Sequence, residues 1–196
     1  MRRIIMRKEL PIITPDKFHD ECAVFGIYGH EEAANLTYLG LYALQHRGQE
    51  ASGIVSGDGE QFHVQKGLGL VADIYNKTSL SKLPGHMAIG HNRYSTAGGN
   101  DLKNVQPLTV NFAFGNLALA HNGNLINAQF LRNELEAYGA IFQSTSDTEV
   151  IIHLIAHSRA STFLARVMDA LNQVRGAFSI VLMTDNGLIA VRDPHG

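Results

Sequence analysis

One residue of nucleophilic type occurs in a single copy, Cys22. A lone cysteine can form neither an internal disulfide nor a cysteine-based zinc site. It is either a small apolar filler of a strand or a nucleophile. A cut between Glu21 and Cys22 would give the thiol an α-amino group on its own residue. Such an amine has a pKa of about 7.7–8.0, so roughly a third of it is neutral near pH ~7.5 and can take the thiol proton. Threonine nucleophiles that use an N-terminal amine follow the same logic. Four further segments carry polar side chains at the ends of apolar elements, where they can converge on a cleft. They are His46-Arg47-Gly48-Gln49-Glu50, His91-Asn92-Arg93-Tyr94-Ser95-Thr96-Ala97-Gly98, His121-Asn122-Gly123 and Ser146-Asp147-Thr148-Glu149. His153 and His157 stand at helical spacing and could face one metal. No third ligand accompanies them, so packing or capping is the reading their pattern supports, and no metal site is assigned.

The elements that would position these residues can be read from periodicity. Ala23 to Tyr28 is a short apolar run stopped by Gly29, a buried strand. A helix is expected over Ala33–Gln45. Ser52–Ser56 and Gln61–Gln65 flank Gly57-Asp58-Gly59-Glu60, a hairpin signal. His86–Asn92 reads as a strand running into a loop from Arg93 to Asn100, and Phe112–Ala120 as another strand. Ile126–Tyr138 is an amphipathic helix. Ser146 with Glu149 predicts a capping box opening a helix to His157, buried on several sides. A further helix covers Thr162–Val174, and Ala177–Thr184 and Leu188–Val191 flank the hairpin residues Asp185-Asn186-Gly187. Regular β-α-β alternation is absent, so antiparallel sheets layered with helices are expected.

Composition narrows the function classes. Hydrophobic residues make up 45% and charged residues 17%, which fits one buried core and excludes disorder. Lys and Arg number 16 against 18 Asp and Glu, so no basic excess supports nucleic-acid or anionic-membrane binding. No apolar run is long enough to span a membrane. Residues 1–21 lack the apolar region of a secretory signal and read as a leader, followed by one domain over 22–196. Together with the free thiol, this points to the cytoplasm.

The start Glu21-Cys22-Ala23-Val24-Phe25-Gly26-Ile27, followed by the four polar segments in this order, resembles the class II glutamine amidotransferase domains, a branch of the N-terminal-nucleophile hydrolases. The wording Gln45-His46-Arg47-Gly48-Gln49-Glu50 and Arg93-Tyr94-Ser95-Thr96-Ala97-Gly98 is similar to that of the amidophosphoribosyltransferase family. The resemblance implies an α+β fold, a four-layer αββα sandwich of two mainly antiparallel sheets between helical layers. It implies that Cys22 attacks the glutamine side-chain amide to give a γ-glutamyl thioester. Asn122 and Gly123 would supply oxyanion donors, although Asn-Gly by itself equally favours a type I′ turn. Arg93 would hold the α-carboxylate and Asp147 the α-ammonium; their plainer readings are a solvated loop arginine and a helix N-terminal charge. Thr96 would line the main-chain end of the substrate and Arg47 would support the pocket from behind. The segment from Arg93 to about Pro107 resembles a loop that closes over glutamine. Ala23 stands where the family usually has glycine. The glutaminase step would need no cofactor. A phosphoribosyltransferase domain would follow Gly196, bringing magnesium and, in some relatives, an iron–sulfur cluster, and the full-length chain would be a homo-oligomer. Two other readings use the same residues: an uncleaved regulatory or interaction module, and an amide hydrolase acting on peptides.

Overall fold

The structure is a computed structural model, and it describes residues 22–94 and 101–194. The expected leader over 1–21 and the substrate-lining Thr96 lie outside the described residues. Among the described residues, eight strands form two antiparallel sheets of four. The first contains β1 (Ala23–Tyr28), β2 (Ala51–Gly57), β3 (Phe62–Leu68) and β4 (Met87–Arg93) in the order β1-β4-β2-β3. The second contains β5 (Leu108–Phe112), β6 (Gly115–Leu125), β7 (Gly176–Thr184) and β8 (Gly187–Arg192) in sequential order. Helices α1 (Ala33–Ala43), α2 (Val71–Ile74) and α3 (Lys77–Leu80) belong to the first sheet, and α4 (Ala128–Ala137), α5 (Thr148–His157) and α6 (Phe163–Leu171) follow β6.

Three apolar clusters make this a four-layer αββα sandwich. Val55, Met87 and Ile89 of the first sheet meet Ala118, Ala120 and Met183 of the second. Leu41 and Val71 pack with Ile54 and Ala88 on the outer face of the first sheet. Ile151, Ile155 and Val167 pack with Leu119 and Ile180 on the outer face of the second. Successive side chains of a strand alternate between faces. Val24, Ile89 and Ala120 all belong to the inter-sheet layer. Continuing each strand by an even step places Cys22, then His91 and Arg93, then Asn122 on that same layer, toward one end of the sandwich. The fold gathers the chemistry by this parity.

Two expectations are corrected. The run Phe112–Ala120 is not one strand: Phe112 ends β5, Ala113 and Phe114 turn, and β6 begins at Gly115, whose φ is +96°. The turn residues are apolar, so alternation alone hid the hairpin. The capping box at Ser146 does not form. Helix α5 starts at Thr148, after Asp147, and the Glu149 carboxylate turns away to accept from the Gln143 and Ser144 N–H groups at 2.8 and 2.7 Å and from the Ser144 hydroxyl at 2.6 Å. Three donors from one loop outbid a single return bond to the helix start. Helices α2 and α3 are one turn each and left no periodic signal.

Candidate active site

Cys22 lies immediately before β1. The Tyr94 N–H donates to its Sγ at 3.3 Å, and the Sγ is 3.5 Å from the Tyr94 carbonyl. Register explains the meeting: Ala23 pairs with Asn92, so the chain before β1 runs beside the chain after β4. Burial pushes the Cys22 thiol above its usual pKa; the Tyr94 backbone and the Arg93 guanidinium pull it back, and the Asp147 carboxylate adds to the rise. Arg93 and Asp147 are thus both close enough to act electrostatically on the sulfur. The resting form near neutral pH is the thiol, so a nucleophilic role requires a base.

Arg47 supports this corner, its Nε lying 3.5 Å from the Cys22 carbonyl oxygen. It ends a single 3-10 turn, Gln45–Arg47. The next residue, Gly48, sits so close to β4 that a side-chain carbon there would come within 2.9 Å of the Asn92 and Arg93 backbones. The Glu50 N–H donates to the Arg93 carbonyl at 3.2 Å. The polar segment His46–Glu50 therefore braces the backbone that carries Arg93.

Asn122 and Gly123 are inside β6, opposite Ser179 and Phe178 of β7. This removes the type I′ turn as their explanation. Gly123 has φ +143°, and a side-chain carbon there would lie 2.1 Å from the Ala177 carbonyl oxygen, so only glycine fits. Behind it, the Phe178 N–H donates to Asp193 Oδ2 at 3.0 Å and the Asp193 N–H returns to the Phe178 carbonyl at 3.0 Å. Asn122 Oδ1 is buried and has no partner among the described residues.

Asp147 reaches β6 from the start of α5. Its Oδ2 accepts from the Leu125 N–H at 3.0 Å and its Oδ1 lies 3.7 Å from His121 Nδ1. Burial works against its charge, but the His121 contact and the Leu125 and Thr148 N–H groups outweigh it and hold the carboxyl below its ordinary pKa. Its side chain keeps 27% exposure, enough to meet a ligand. The structure thus gathers Cys22, Arg93, Asn122, Gly123, Asp147 and Arg47 at one end of the sandwich. Ala23 fits without strain: it is buried in β1, and no described residue other than glycine has a positive φ.

Sequence reasoning missed Gln106, whose Oε1 accepts from the His121 N–H at 2.6 Å and whose Nε2 donates to Thr148 Oγ1 at 3.0 Å. One polar side chain within Val105-Gln106-Pro107-Leu108 was its available signal. Also missed was a buried chain behind Arg93, in which Ser52 Oγ donates to Asn92 Oδ1 at 2.8 Å and Asn92 Nδ2 donates to the Leu41 carbonyl at 2.7 Å. His153 and His157 do not share a ligand direction. His153 packs on Phe142, with ring centroids 4.2 Å apart, and His157 lies against Tyr138. No group of three or more metal-ligating side chains occurs among the described residues. The lone cysteine leaves no thiolate set for an iron–sulfur cluster on this chain.

Residues 91–196 match the family model described as a glutamine amidotransferase domain. An amidophosphoribosyltransferase of Lacticaseibacillus casei is 52% identical over 185 residues, covering 93% of this chain and 94% of that sequence. That of Rhizobium etli is 54% identical over 182 residues, covering 92% of this chain and 37% of the relative. Amidophosphoribosyltransferase 3, chloroplastic, of Arabidopsis thaliana is 52% identical over 92% of this chain and 34% of its own length. The chain thus spans about a third of the length of those two relatives. Among solved structures, the glutamine phosphoribosylpyrophosphate amidotransferase of B. subtilis, complexed with ADP and GMP, superposes with a TM-score of 0.83 at 48% identity, over 88% of this chain and 37% of that one. A structure described as the allosteric regulatory enzyme of purine biosynthesis gives 0.85 at 50% identity, with the same coverage.

Proposed function

The chain belongs to the amidophosphoribosyltransferase family, as its glutamine amidotransferase domain, and on that premise we propose that it hydrolyses glutamine through Cys22. Residues 1–21 would first be removed, freeing the Cys22 α-amine. The amine takes the thiol proton as Sγ attacks the side-chain carbonyl carbon. The resulting oxyanion is held by the Asn122 side-chain NH₂ and the Gly123 N–H, donors of a kind worth ~10²–10³ in rate. Collapse breaks the C–N bond, the amine returns its proton to the leaving nitrogen, and ammonia departs. Water then attacks the thioester, releasing glutamate and restoring the thiol. Arg93 pairs with the α-carboxylate, Asp147 with the α-ammonium, Thr96 lines the same end, and Arg47 steadies Cys22. Two opposite charges set apart select free glutamine over a peptide-bound residue.

The ammonia would serve the synthesis of 5-phosphoribosylamine from phosphoribosyl pyrophosphate, the first step of de novo purine synthesis. That step would use a phosphoribosyltransferase domain with its magnesium in a homo-oligomeric full-length enzyme. The glutaminase half needs thiol, amine and oxyanion donors and no cofactor. No described helix is long and apolar enough to cross a membrane, and we place the enzyme in the cytoplasm.

The observation that carries this reading is the position of Cys22 Sγ, held by the Tyr94 backbone under the opposed fields of Arg93 and Asp147. Glutamate release from glutamine, with acceptor absent, measures the activity directly. Cys22→Ala is expected to abolish it while the circular dichroism spectrum stays unchanged, and intact-mass measurement is expected to show a chain beginning at Cys22. Full activity in Cys22→Ala would overturn the mechanism. An intact leader with no thioester trapped by a glutamine-analogue electrophile would leave the interaction module as the better account.

A further inference from the structure

His121 is almost fully buried on the face of β6 opposite Asn122, and every polar group of the residue but one is engaged by a different element. Its N–H donates to Gln106 Oε1 at 2.6 Å. Its carbonyl lies 3.1 Å from His91 Nε2; a carbonyl only accepts, so that nitrogen donates. Its ring Nδ1 lies 3.2 Å from Thr148 Oγ1 and 3.7 Å from Asp147 Oδ1.

The Thr148 hydroxyl decides which way the ring bond runs. It has one proton and two lone pairs. The proton goes to Asp147 Oδ1 at 3.4 Å, and one lone pair takes the Gln106 amide. With the hydroxyl proton on Asp147, the contact left to His121 is an accepting one, and in that tautomer Nδ1 donates. Asp147 is then held on both sides of the oxyanion segment, on Oδ1 by the Thr148 hydroxyl that His121 supports, with Nδ1 itself 3.7 Å away, and on Oδ2 by the Leu125 N–H.

We propose that His121 is a positioning residue: its Nδ1–H, with the Thr148 hydroxyl, fixes the Asp147 carboxylate relative to Asn122 and Gly123 and so sets the selectivity for a substrate bearing an α-ammonium group. This rests on the glutamine reading above. The same strand residue carries the oxyanion donors on its C-terminal side and orients the ammonium receptor with its ring. Loss of the ring donor therefore weakens the α-ammonium contact without removing the nucleophile.

The test compares glutamine with glutaramate, the same amide lacking the α-amino group, using protein produced from the full chain. His121→Leu is expected to lower kcat/KM for glutamine ~10-fold more than for glutaramate, the order of one hydrogen bond to a charged group, mainly through KM. His121→Asn, whose amide nitrogen can stand where Nδ1 stands, is expected to restore most of the selectivity. Thr148→Val, a near-isosteric change, gives a second handle if His121→Leu folds poorly, and is expected to shift the ratio in the same direction. Equal losses on both substrates, or no loss, would overturn the proposal. Nitrogen-15 spectra of the labelled histidines supply an arm that needs no turnover: a bare Nδ1 on His121 also overturns it. A protonated Nδ1 in a wild-type protein that leaves glutamine intact would instead strike the substrate reading.

Discussion

At the residue scale the site poses a base problem. Burial holds the Cys22 thiol above its usual pKa, and Arg93 only partly offsets that. A mechanism relying on free thiolate would gain rate well into the alkaline range. One relying on the α-amine should instead follow a group titrating at about 7.7–8.0. Below that pKa the amine is protonated and cannot accept; above it, base availability is saturated. The expectation is a kcat/KM for glutamine that rises about tenfold per pH unit on the acid side and flattens above roughly pH 8. A pH–rate profile still climbing beyond pH 9 would sink the amine's role. That these residues could converge was legible before any geometry, because Arg93, Asn122 and Asp147 each sit in a polar segment bordering an apolar run and Cys22 directly precedes one. What was not legible is who holds them. The Gln106–His121 bond follows from the pairing of β5 with β6 and the His91–His121 contact from the packing of the two sheets, and neither pair shares a periodicity.

At the element scale, the start of α5 has two carboxylates with different work. Asp147 faces β6, whereas Glu149 is 8% exposed and ties down the Gln143–Ser144 loop. The sequence pattern suggested that Glu149 closes a capping box; the loop's three donors were invisible because the loop has no pattern of its own. Glu149→Ala leaves buried donors unpaired, and a loss of about 3 kcal/mol in unfolding free energy is expected from urea titration. Because the loop leads directly into Asp147, the KM for glutamine should rise in the same variant. Unchanged stability would show that water replaces the carboxylate at little cost. The β5–β6 hairpin teaches a related lesson. Gly115, the first residue of β6, was its one glycine signal, and the turn residue Phe114, which a polar-turn rule would reject, instead lies beneath the Arg166 guanidinium, 4.7 Å from the ring centroid.

At the scale of the whole molecule, the sandwich encloses a histidine it cannot protonate. Burial, with the neighbouring His121 next, pushes His91 down to about 3. The unfolded chain binds that proton below about pH 6.5, and the folded chain does not until the pH nears the depressed value. Stability therefore falls as pH drops through this window, by up to about 1.4 kcal/mol per unit for one site. Urea unfolding at pH 7, 6 and 5 should show the decline, and His91→Gln, which can keep a donor toward the His121 carbonyl, should flatten it. Antiparallel sheets with helices were readable from the order of apolar runs and the four layers only from the family resemblance; the inter-sheet hydrogen bond from His91 to the His121 carbonyl was readable from neither. Assembly order gives the Asp193–Phe178 clasp a wider meaning. Cys22 leads into β1 of the first sheet, whereas the strand behind Gly123 is pinned by Asp193, after β8 of the second. The proposed nucleophile and its proposed oxyanion donors are therefore set against each other only when both sheets have formed.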